Sequence, residues 1–537
     1  MTTSLKTFGR RVISYARRQL RMPEVELDEP TRRFVAHNRI KWRRTDKVND
    51  DAVVLVGLFD FRPSVYCYSY VTNHLARKTG ARIESYQFGR RNHTVDRVFE
   101  SFGATFGLGS QDCEAFREKA GARADEIFRG LKSTWDVLAI TEGGIKLGDL
   151  IYDSYMRYFL EPTVRLTDER LRKVIFDALL ILYATAEYFQ RKRVTAFIAD
   201  DYGYISCGIP TRVAMREKVP TYIVCYGERF FVYELFGEAE TGWHDYPIRW
   251  PYHHYREIFR KMPPDEQERG REVGRQHLLG KLNGKADKFT LQTISAYGES
   301  EGRIFEPTGK ARVVILLHDF VDAPHGYRDM LFPDFYEWIH FLLERAENTP
   351  FEWYLKPHPW CWDATQQQIN NANAQVVEDL KARYKKIKFL DPKVSNRQMI
   401  SEGLNAMFTV YGTAGHEFAY LGVPVVNAGD NPHIAYDFNF HPKTVDEYAG
   451  FIERADRLKI EVNKTDIEEF YYMNNFHFAD HLSKGANPMA ESIFRDPDFE
   501  AKIVPSSGYD FMMEHQNPAN EAKLEAYLDE SFAKLKK

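Results

Sequence analysis

The side chains best suited to chemistry lie in the second half of the sequence, where three short polar segments each follow an apolar run. Lys356 and His358 alternate in an extended stretch that prolines stiffen, so both side chains are predicted to project to the same side. A cation and an imidazole in this arrangement favour binding of a phosphate or diphosphate, and His358 is suited to protonate a departing phosphate oxygen. His318 follows the first of the apolar runs and is predicted to face the same ligand.

The third segment is a small-residue turn, Gly-Thr-Ala-Gly-His-Glu, at residues 412–417. Because it carries no bulky side chain, the backbone at Gly412, Thr413 and Gly415 can approach an anion at the start of a helix, where the macrodipole favours phosphate. Glu417 is predicted to accept hydrogen bonds from ribose hydroxyls. Together the three segments predict a site for a nucleotide-activated donor.

Such a site needs strands that end side by side, and both halves of the sequence alternate short β-rich runs with longer helical patterns, as parallel α/β sheets do. Strands are predicted in the first half at residues 52–59, 82–88, 136–140, 196–200 and 221–226. Helices are predicted there at residues 65–79, 113–131, 148–155 and 168–191. In the second half, strands are predicted at residues 312–317, 351–356, 387–390, 406–411 and 423–427.

The predicted fold class is therefore α/β, with two Rossmann-like domains facing a cleft and C-terminal helices crossing back. The division we predict is a basic N-terminal segment at 1–45, an acceptor domain at 46–250, an interdomain region at 251–310, a donor domain at 311–462 and a helical tail at 463–537. Open α/β sheets bind ligands at the carboxyl ends of their strands, which is where the three polar segments lie.

Composition excludes several function classes. The chain has 537 residues and a formal net charge of -4, so it is not a globally basic nucleic-acid binder. No run approaches the ~18 consecutive apolar residues of a membrane span. Five cysteines without a CxxC pair argue against a zinc site or a disulfide framework and predict reduced thiols in a cytoplasmic protein.

Residues 4–22 are predicted to form a basic amphipathic helix, with six Lys and Arg side chains and no acid. Such a helix can lie on the anionic inner face of a membrane, which predicts peripheral membrane contact. The alternative is that its apolar stripe packs on the adjacent domain.

The Lys-Pro-His-Pro motif at 356–359 and the 412–417 turn with the following Gly-Val-Pro-Val resemble the donor domain of bacterial capsule and surface-polysaccharide glycosyltransferases of the two-Rossmann (GT-B) type. Within them, the motif is similar to that of the HP-motif enzymes, which include Kdo transferases and sialyltransferases that use CMP-sugars. The resemblance covers residues 310–445. The Gly-Asp-Leu-Ile-Tyr-Asp-Ser-Tyr segment at 148–155 also looks like that of capsule-type proteins.

The resemblance implies roles for individual residues. In HP-motif enzymes the motif histidine contacts the donor phosphate, a role that carries over to His358, and Thr413 matches one of a pair of hydroxyl residues. Their general base lies in an acidic motif of the first domain, for which Glu142 is the nearest match, although the first acid of the motif is absent here. The alternatives are the adjacent Asp200 and Asp201, which follow another strand, and the helical pair Asp149 and Asp153.

The implied reaction is metal-independent transfer of a sugar from a nucleotide-sugar, such as CMP-Kdo or a CMP-nonulosonic acid, to a bacterial surface glycan or lipid-linked glycan, with no cofactor beyond the donor substrate. Three alternatives stay open. The first is a CDP-glycerol-type polyol phosphotransferase, the second a sugar 2-epimerase, and the third a non-catalytic polysaccharide-assembly protein on the same scaffold.

Overall fold

The computed structural model describes residues 26–43, 48–59, 62–89, 91–199, 201–225, 231–235, 250–284, 302–326, 329–358, 367–477, 506–514 and 516–533. The predicted basic helix at residues 4–22 and the candidate base Asp200 lie outside these ranges. Within them, no helix combines the length and the hydrophobicity needed to cross a membrane. Cys67, Cys113 and Cys207 are buried and form no disulfide within the described residues.

The first half of the chain is built on a twisted parallel sheet. Its strands are β1 Asn49–Gly57, β2 Ala81–Gln87, β3 Ala104–Gly109, β4 Thr141–Glu142, β5 Ile145–Lys146, β6 Arg193–Ala199, β7 Thr221–Cys225 and β8 Phe231–Glu234. Six of them form one sheet in the order β3-β2-β1-β6-β7-β8, in which only the β7–β8 pair is antiparallel. The other two, β4 and β5, form a separate antiparallel ribbon.

Helices cover both faces of this sheet. They are α1 Glu29–Lys41, α2 Arg62–Thr79, α3 His93–Ser101, α4 Arg117–Gly130, α5 Thr134–Leu138, α6 Gly148–Phe159, α7 Glu169–Arg191 and α8 Ile205–Arg216. In strand β1, Val53 and Leu55 pack into one hydrophobic core, whereas Val54 and Val56 pack into the other. A strand that is buried on both faces is continuously apolar, and this apolar run is the reason that the sequence predicts the strand.

The second half repeats the arrangement with a smaller sheet. Its strands are β9 Arg312–Leu316, β10 Glu352–Lys356, β11 Lys388–Phe389, β12 Ala406–Thr409 and β13 Val425–Asn427, all parallel, in the order β11-β10-β9-β12-β13. Two connecting helices, α9 Tyr255–Arg260 and α10 Pro264–Leu282, precede this sheet in the chain, and five helices of the described part of the chain lie around it. They are α11 Phe335–Ala346, α12 Gln367–Arg383, α13 Asn396–Ser401, α14 Ala414–Tyr420 and α15 Val445–Glu453.

The connecting and C-terminal helices tie the two halves together. They are α9 Tyr255–Arg260, α10 Pro264–Leu282, α16 Lys464–Tyr472, α17 Gly508–Glu514 and α18 Pro518–Ser531. The last two pack on the first domain, where Arg33 pairs with Asp510 and the hydroxyl of Tyr527 accepts a hydrogen bond from Val232 N–H at 3.0 Å. The predicted fold class, two Rossmann-like domains with C-terminal helices that cross back, is confirmed.

One predicted strand is wrong. Residues 136–140 were expected to form a strand, but Thr134–Leu138 is a helix. Its start is a capping box, in which Ser133 Oγ accepts from Asp136 N–H at 3.3 Å and Asp136 Oδ2 accepts from Ser133 N–H at 2.8 Å. The local Ser-x-x-Asp signal therefore outweighed the apolar run. The strands at the two edges of the first sheet, β3 and β8, were not predicted.

Helix α6 forms buried polar contacts with other elements of the first domain. Asp149 accepts two hydrogen bonds from the buried guanidinium of Arg212, at 2.8 and 2.5 Å, and so joins α6 to α8. One turn further, Ser154 Oγ accepts from Ile205 N–H at 2.9 Å at the start of α8. Polar residues of this helix thus hold its own domain together.

The same helix also reaches the second domain. Asp153 lies 2.6 Å from the Nδ1 atom of His325, and both side chains are buried. The other ring nitrogen of His325 donates to the carbonyl of Pro333 at 2.8 Å, and Tyr152 donates to Asp334 at 2.6 Å. Both nitrogens of His325 therefore face acceptors, an arrangement that the imidazolium form satisfies best.

Charge on His325 follows from these partners. Burial by itself lowers the pKa of His325, but the charge and hydrogen bond of Asp153, together with Asp149 and the Pro333 carbonyl, outweigh burial and raise the pKa above its ordinary value. The folded state therefore binds a proton that the unfolded state releases at neutral pH. This contribution to stability is fully present below about pH 6.5 and is lost as the pH rises through the raised folded pKa.

We expect Asp153→Asn to destabilise the protein by about 3–5 kcal/mol, because removing one member of a buried pair leaves the other charge uncompensated. The measurement is denaturant unfolding at pH 6.5. The matched control is Asp177→Asn, which breaks the exposed pair with Lys173 and is expected to cost about 0.5 kcal/mol or less.

The difference in the free energy of unfolding between the wild type and Asp153→Asn should also become smaller as the pH rises, because His325 is then uncharged in both proteins. Equal stability of the two variants at pH 6.5 would show that this pair does not hold the domains together.

Candidate functional site

In the second sheet, the chain order of the strands runs outward from β9 on one side and from β12 on the other. Ligands of open α/β sheets bind at such a switch point between neighbouring strands. His318 lies just beyond the end of β9. Its Nε2 atom accepts a hydrogen bond from Val410 N–H at 3.2 Å and lies 3.0 Å from the hydroxyl of Thr409, both at the end of β12. Because Nε2 is an acceptor, the ring proton is assigned to Nδ1.

His318 is rigid and uncharged. Its ring stacks on Phe335 at 4.5 Å between centroids and lies 4.9 Å from Tyr411. Burial, together with repulsion from His358, lowers its pKa to about 3. At physiological pH His318 is therefore a neutral imidazole whose Nδ1–H is suited to donate to a ligand at the switch point.

Of the two histidines at this edge, His358 has a ring nitrogen with no hydrogen-bond partner among the described residues. His358 follows β10, the neighbour of β9, and this nitrogen, Nδ1, is buried. Burial lowers the pKa of His358, nearby Lys356 adds to this, and Asp322 opposes it. A buried, unpaired ring nitrogen is costly to maintain, which marks this position for a ligand.

Lys356 supplies a buried cation at the same edge. Its ammonium donates to the carbonyl of Val394 and to Asn396 Oδ1, both at 2.7 Å, and both acceptors are uncharged. Burial lowers the pKa of Lys356 to about 8, and the charge of Glu417 opposes the shift. A buried ammonium with only neutral acceptors is stabilised further by an anion.

The turn at 412–417 packs tightly beneath this edge. A Cβ atom on Gly412 would lie 3.0 Å from Thr409 Oγ1, and one on Gly415 would lie 3.1 Å from the ring of His433. A Cβ atom at either place would therefore force the neighbouring side chain to shift by a few tenths of an ångström. Thr413 is exposed and its hydroxyl does not cap helix α14, which leaves it available to a ligand.

Glu417 points into the protein. It is buried and forms an ion pair with Lys281, a buried lysine of α10, so that this carboxylate joins the second domain to the connecting helices. Its predicted contact with ribose stays a prediction. Lys281 was not anticipated, because nothing in its local sequence distinguishes it from a surface lysine.

The first domain brings Asp201 to the site. Strand β6 is central, at the reversal point of the first sheet, and Asp201 follows it, accepting hydrogen bonds from the N–H groups of Tyr202 and Gly203 at 2.5 and 3.1 Å. In the same loop, Tyr204 donates to Asp322 of the second domain at 2.9 Å. The loop therefore faces the segment between His318 and His358.

The pKa of the Asp201 carboxyl is raised. Crowding by surrounding protein is the main cause, and the charge of Asp322 adds to it. The residue itself is exposed, so water reaches the carboxylate and limits the effect. Both properties suit a group that takes a proton from an incoming hydroxyl.

Glu142 lies elsewhere. It belongs to the antiparallel strand β4, not to the end of a parallel strand, and it is held by Arg123 Nε at 3.0 Å and the hydroxyl of Tyr183 at 2.7 Å. None of its described contacts is with the second domain. The other candidates, Asp149 and Asp153, are committed to the buried pairs with Arg212 and His325.

A group of buried neutral side chains lies behind the turn. Neither ring nitrogen of His416, nor either amide atom of Asn427, has a hydrogen-bond partner among the described residues. Burial, with a smaller contribution from Lys281, lowers the pKa of His416 to about 4. Among the described residues, no cluster of three or more His, Cys, Asp or Glu side chains is arranged to hold a metal ion.

We expect His416→Leu to flatten the acid dependence of stability. The folded pKa of about 4 lies below the unfolded value of about 6.5, so the unfolded state binds the extra proton, and the free energy of unfolding decreases as the pH is lowered through this window. Removing the imidazole should reduce the slope of the free energy of unfolding against pH by about 1.4 kcal/mol per pH unit between pH 4 and 6.5. The measurement is urea unfolding at several pH values.

The control for this prediction is Asn427→Leu, which removes a buried polar group that does not titrate. It should change stability equally at all pH values and leave the slope as in the wild type. An unchanged slope in His416→Leu would contradict the assignment of a buried neutral imidazole.

No protein-family model and no curated protein sequence matches the chain. Solved structures do. The β-Kdo 2,4 transferase KpsC of Thermosulfurimonas dismutans is 13% identical over 52% of this chain and 79% of that chain, with a TM-score of 0.31. The UDP-GlcNAc 2-epimerase of Neisseria meningitidis is 11% identical over 79% and 98% of the two chains, with a TM-score of 0.24. The O-GlcNAc transferase of Thermobaculum terrenum is 10% identical over 95% and 76%, with a TM-score of 0.22. The sequence identities and the TM-scores of these matches are all low.

Proposed function

We propose that the protein is a glycosyltransferase that moves a sugar from a nucleotide-activated donor to a glycan acceptor. The observation that carries the proposal is the pairing, at one sheet edge, of the buried Lys356 ammonium with the unpaired Nδ1 of His358. Lys356 supplies a positive charge whose hydrogen-bond partners are uncharged. His358 supplies a ring nitrogen that has no hydrogen-bond partner among the described residues. A phosphate group satisfies both at once.

The second domain would hold the donor. Lys356, His358 and the exposed Thr413 hydroxyl surround the position expected for the phosphate, with the neutral His318 beside them. These groups are fixed before the ligand arrives, so they stabilise negative charge that develops on the departing phosphate without reorganisation. A CMP-sugar of the Kdo or nonulosonic-acid type suits this site, since its leaving group is a single phosphate.

The first domain would supply the base. We assign this role to Asp201, because its loop contacts the donor domain through Tyr204 and Asp322, whereas Glu142 is held within its own domain. Asp201 takes the proton of the acceptor hydroxyl, and the acceptor oxygen forms a bond to the anomeric carbon. The bond from that carbon to the phosphate oxygen breaks, and the electron pair leaves with the nucleotide.

The donor site is tested by thermal shift with CMP, CDP, UDP and GDP, because a ligand that binds the folded state raises its apparent stability by mass action. We expect one of them to stabilise the wild type, and His358→Ala to abolish the shift. His254→Ala, a surface histidine in a pair with Glu257, should retain it.

A shift that survives in His358→Ala would contradict the assignment of the donor site. Release of free nucleotide from CMP-sugars, but not from CDP-glycerol, would separate glycosyl transfer from polyol-phosphate transfer.

We expect Asp201→Asn to lower kcat by about 10²–10⁴-fold, the usual contribution of general base catalysis, with nucleotide binding intact. Glu142→Gln is the control: it weakens the contacts with Arg123 and Tyr183 and should change stability more than turnover. The opposite result, a folded but inactive Glu142→Gln beside an active Asp201→Asn, would transfer the role of base to Glu142.

A further inference from the structure

Tyr158 is an unusual residue in helix α6. It is 50% exposed, in a helix whose other polar and aromatic residues are nearly all buried. Its hydroxyl end lies beside the side chains of Ser154 and Ser206, which enclose it. The result is an aromatic ring that is anchored at one end and open to solvent on its side.

The ring lies at the rim where the two domains meet. The preceding residue, Arg157, is 3.5 Å from the carboxylate of Asp322 in the second domain. Ser206, beside the Tyr158 hydroxyl, is two residues after Tyr204, which bonds to the same Asp322. The loop of Asp201 therefore connects the neighbourhood of this ring to Asp322 of the second domain.

The rim is acidic, and two of its carboxylates belong to the second domain, where Asp322 also acts on His358. Three carboxylates, those of Asp201, Asp319 and Asp322, lie around the single guanidinium of Arg157. Asp319 is fixed by Asn373 and by the N–H of Val321, both neutral. At neutral pH this group has a formal charge of -2, so it repels anions that approach from the side of the first domain.

We propose that this rim is the acceptor subsite and that it takes an uncharged glycan, one pyranose ring of which stacks on Tyr158. The proposal rests on the glycosyltransferase function proposed above. One face of a pyranose ring exposes C–H groups and is apolar, so it loses little by covering an aromatic ring, and its hydroxyls remain free to bond with carboxylates.

The charges separate the two substrates. The donor carries a phosphate and is attracted to Lys356, whereas an acidic acceptor, or the phosphate of a lipid carrier held close to the rim, is disfavoured by the three carboxylates. An anionic membrane is likewise a poor partner for this face. A neutral oligosaccharide presents hydroxyls as donors to the carboxylates and places one of them beside Asp201.

The experiment measures binding of tetrasaccharides to the full chain by saturation-transfer NMR and titration, without donor. The neutral probes are chitotetraose, maltotetraose and cellotetraose, and the acidic probes are tetragalacturonate and tetrasialic acid. We expect at least one neutral probe to bind and the acidic probes not to bind. Tyr158→Ala should weaken binding about tenfold or more, equivalent to about 1.4 kcal/mol.

Two variants keep the result interpretable. Tyr158→Phe retains the ring and should keep most of the affinity, and Trp135→Ala removes another half-exposed aromatic ring, on α5, and should have no effect. Asp322→Asn should narrow the discrimination against the acidic probes, because it removes one of the three carboxylates. Nucleotide-induced thermal shift in each variant reports folding of the donor domain.

Binding of acidic probes in preference to neutral ones, affinity unchanged in Tyr158→Ala, or no binding of any probe would each overturn the proposal. In each case an intact nucleotide shift that depends on His358 would leave the proposed donor site standing. Loss of that shift in the wild type would instead count against the glycosyltransferase function.

Discussion

The buried pair of Asp153 and His325 is the interaction on which the rest of this structure depends. It joins a helix of the first domain to the loop that follows the first strand of the second, with Tyr152 and Asp334 beside it. That loop also carries Asp322, which the first domain contacts again through Tyr204. A buried ion pair adds little net stability, but breaking it is costly, so it acts mainly to fix how the two domains face each other.

With the domains held in this way, the cleft holds two chemically different groups of side chains. The donor side has a buried ammonium, Lys356, and two uncharged histidines with nitrogens available to a ligand. At the contact between the domains, the carboxylates of Asp201, Asp319 and Asp322 lie around the guanidinium of Arg157. The proposed transferase must bind an anionic leaving group and a nucleophile that gives up a proton. The Lys356 ammonium suits the first need and the exposed carboxylate of Asp201 suits the second.

Much of the fold was predictable, for a physical reason. Strands buried on both faces of a parallel sheet are continuously apolar, as in β1 and β9. Their positions therefore followed from the apolar runs in the sequence. The error at residues 136–140 arose because a short apolar run fits a buried helix equally well. There the decisive signal was the capping box at Ser133, a local hydrogen-bond pattern that outweighs hydrophobicity in a segment of five residues.

The sequence by itself determined the fold class and which residues share the edge of the second sheet, because in an open parallel sheet residues that follow successive strands lie at one edge wherever the domains lie. Only the tertiary structure decided which of the candidate carboxylates are held by other side chains and which one is exposed at the cleft. Asp153 and Asp149 are used in buried pairs, Glu142 is held by Arg123, and Asp201 remains exposed at the cleft. These carboxylates are alike in sequence, and what distinguishes them is the cation or hydroxyl that long-range packing places beside each one.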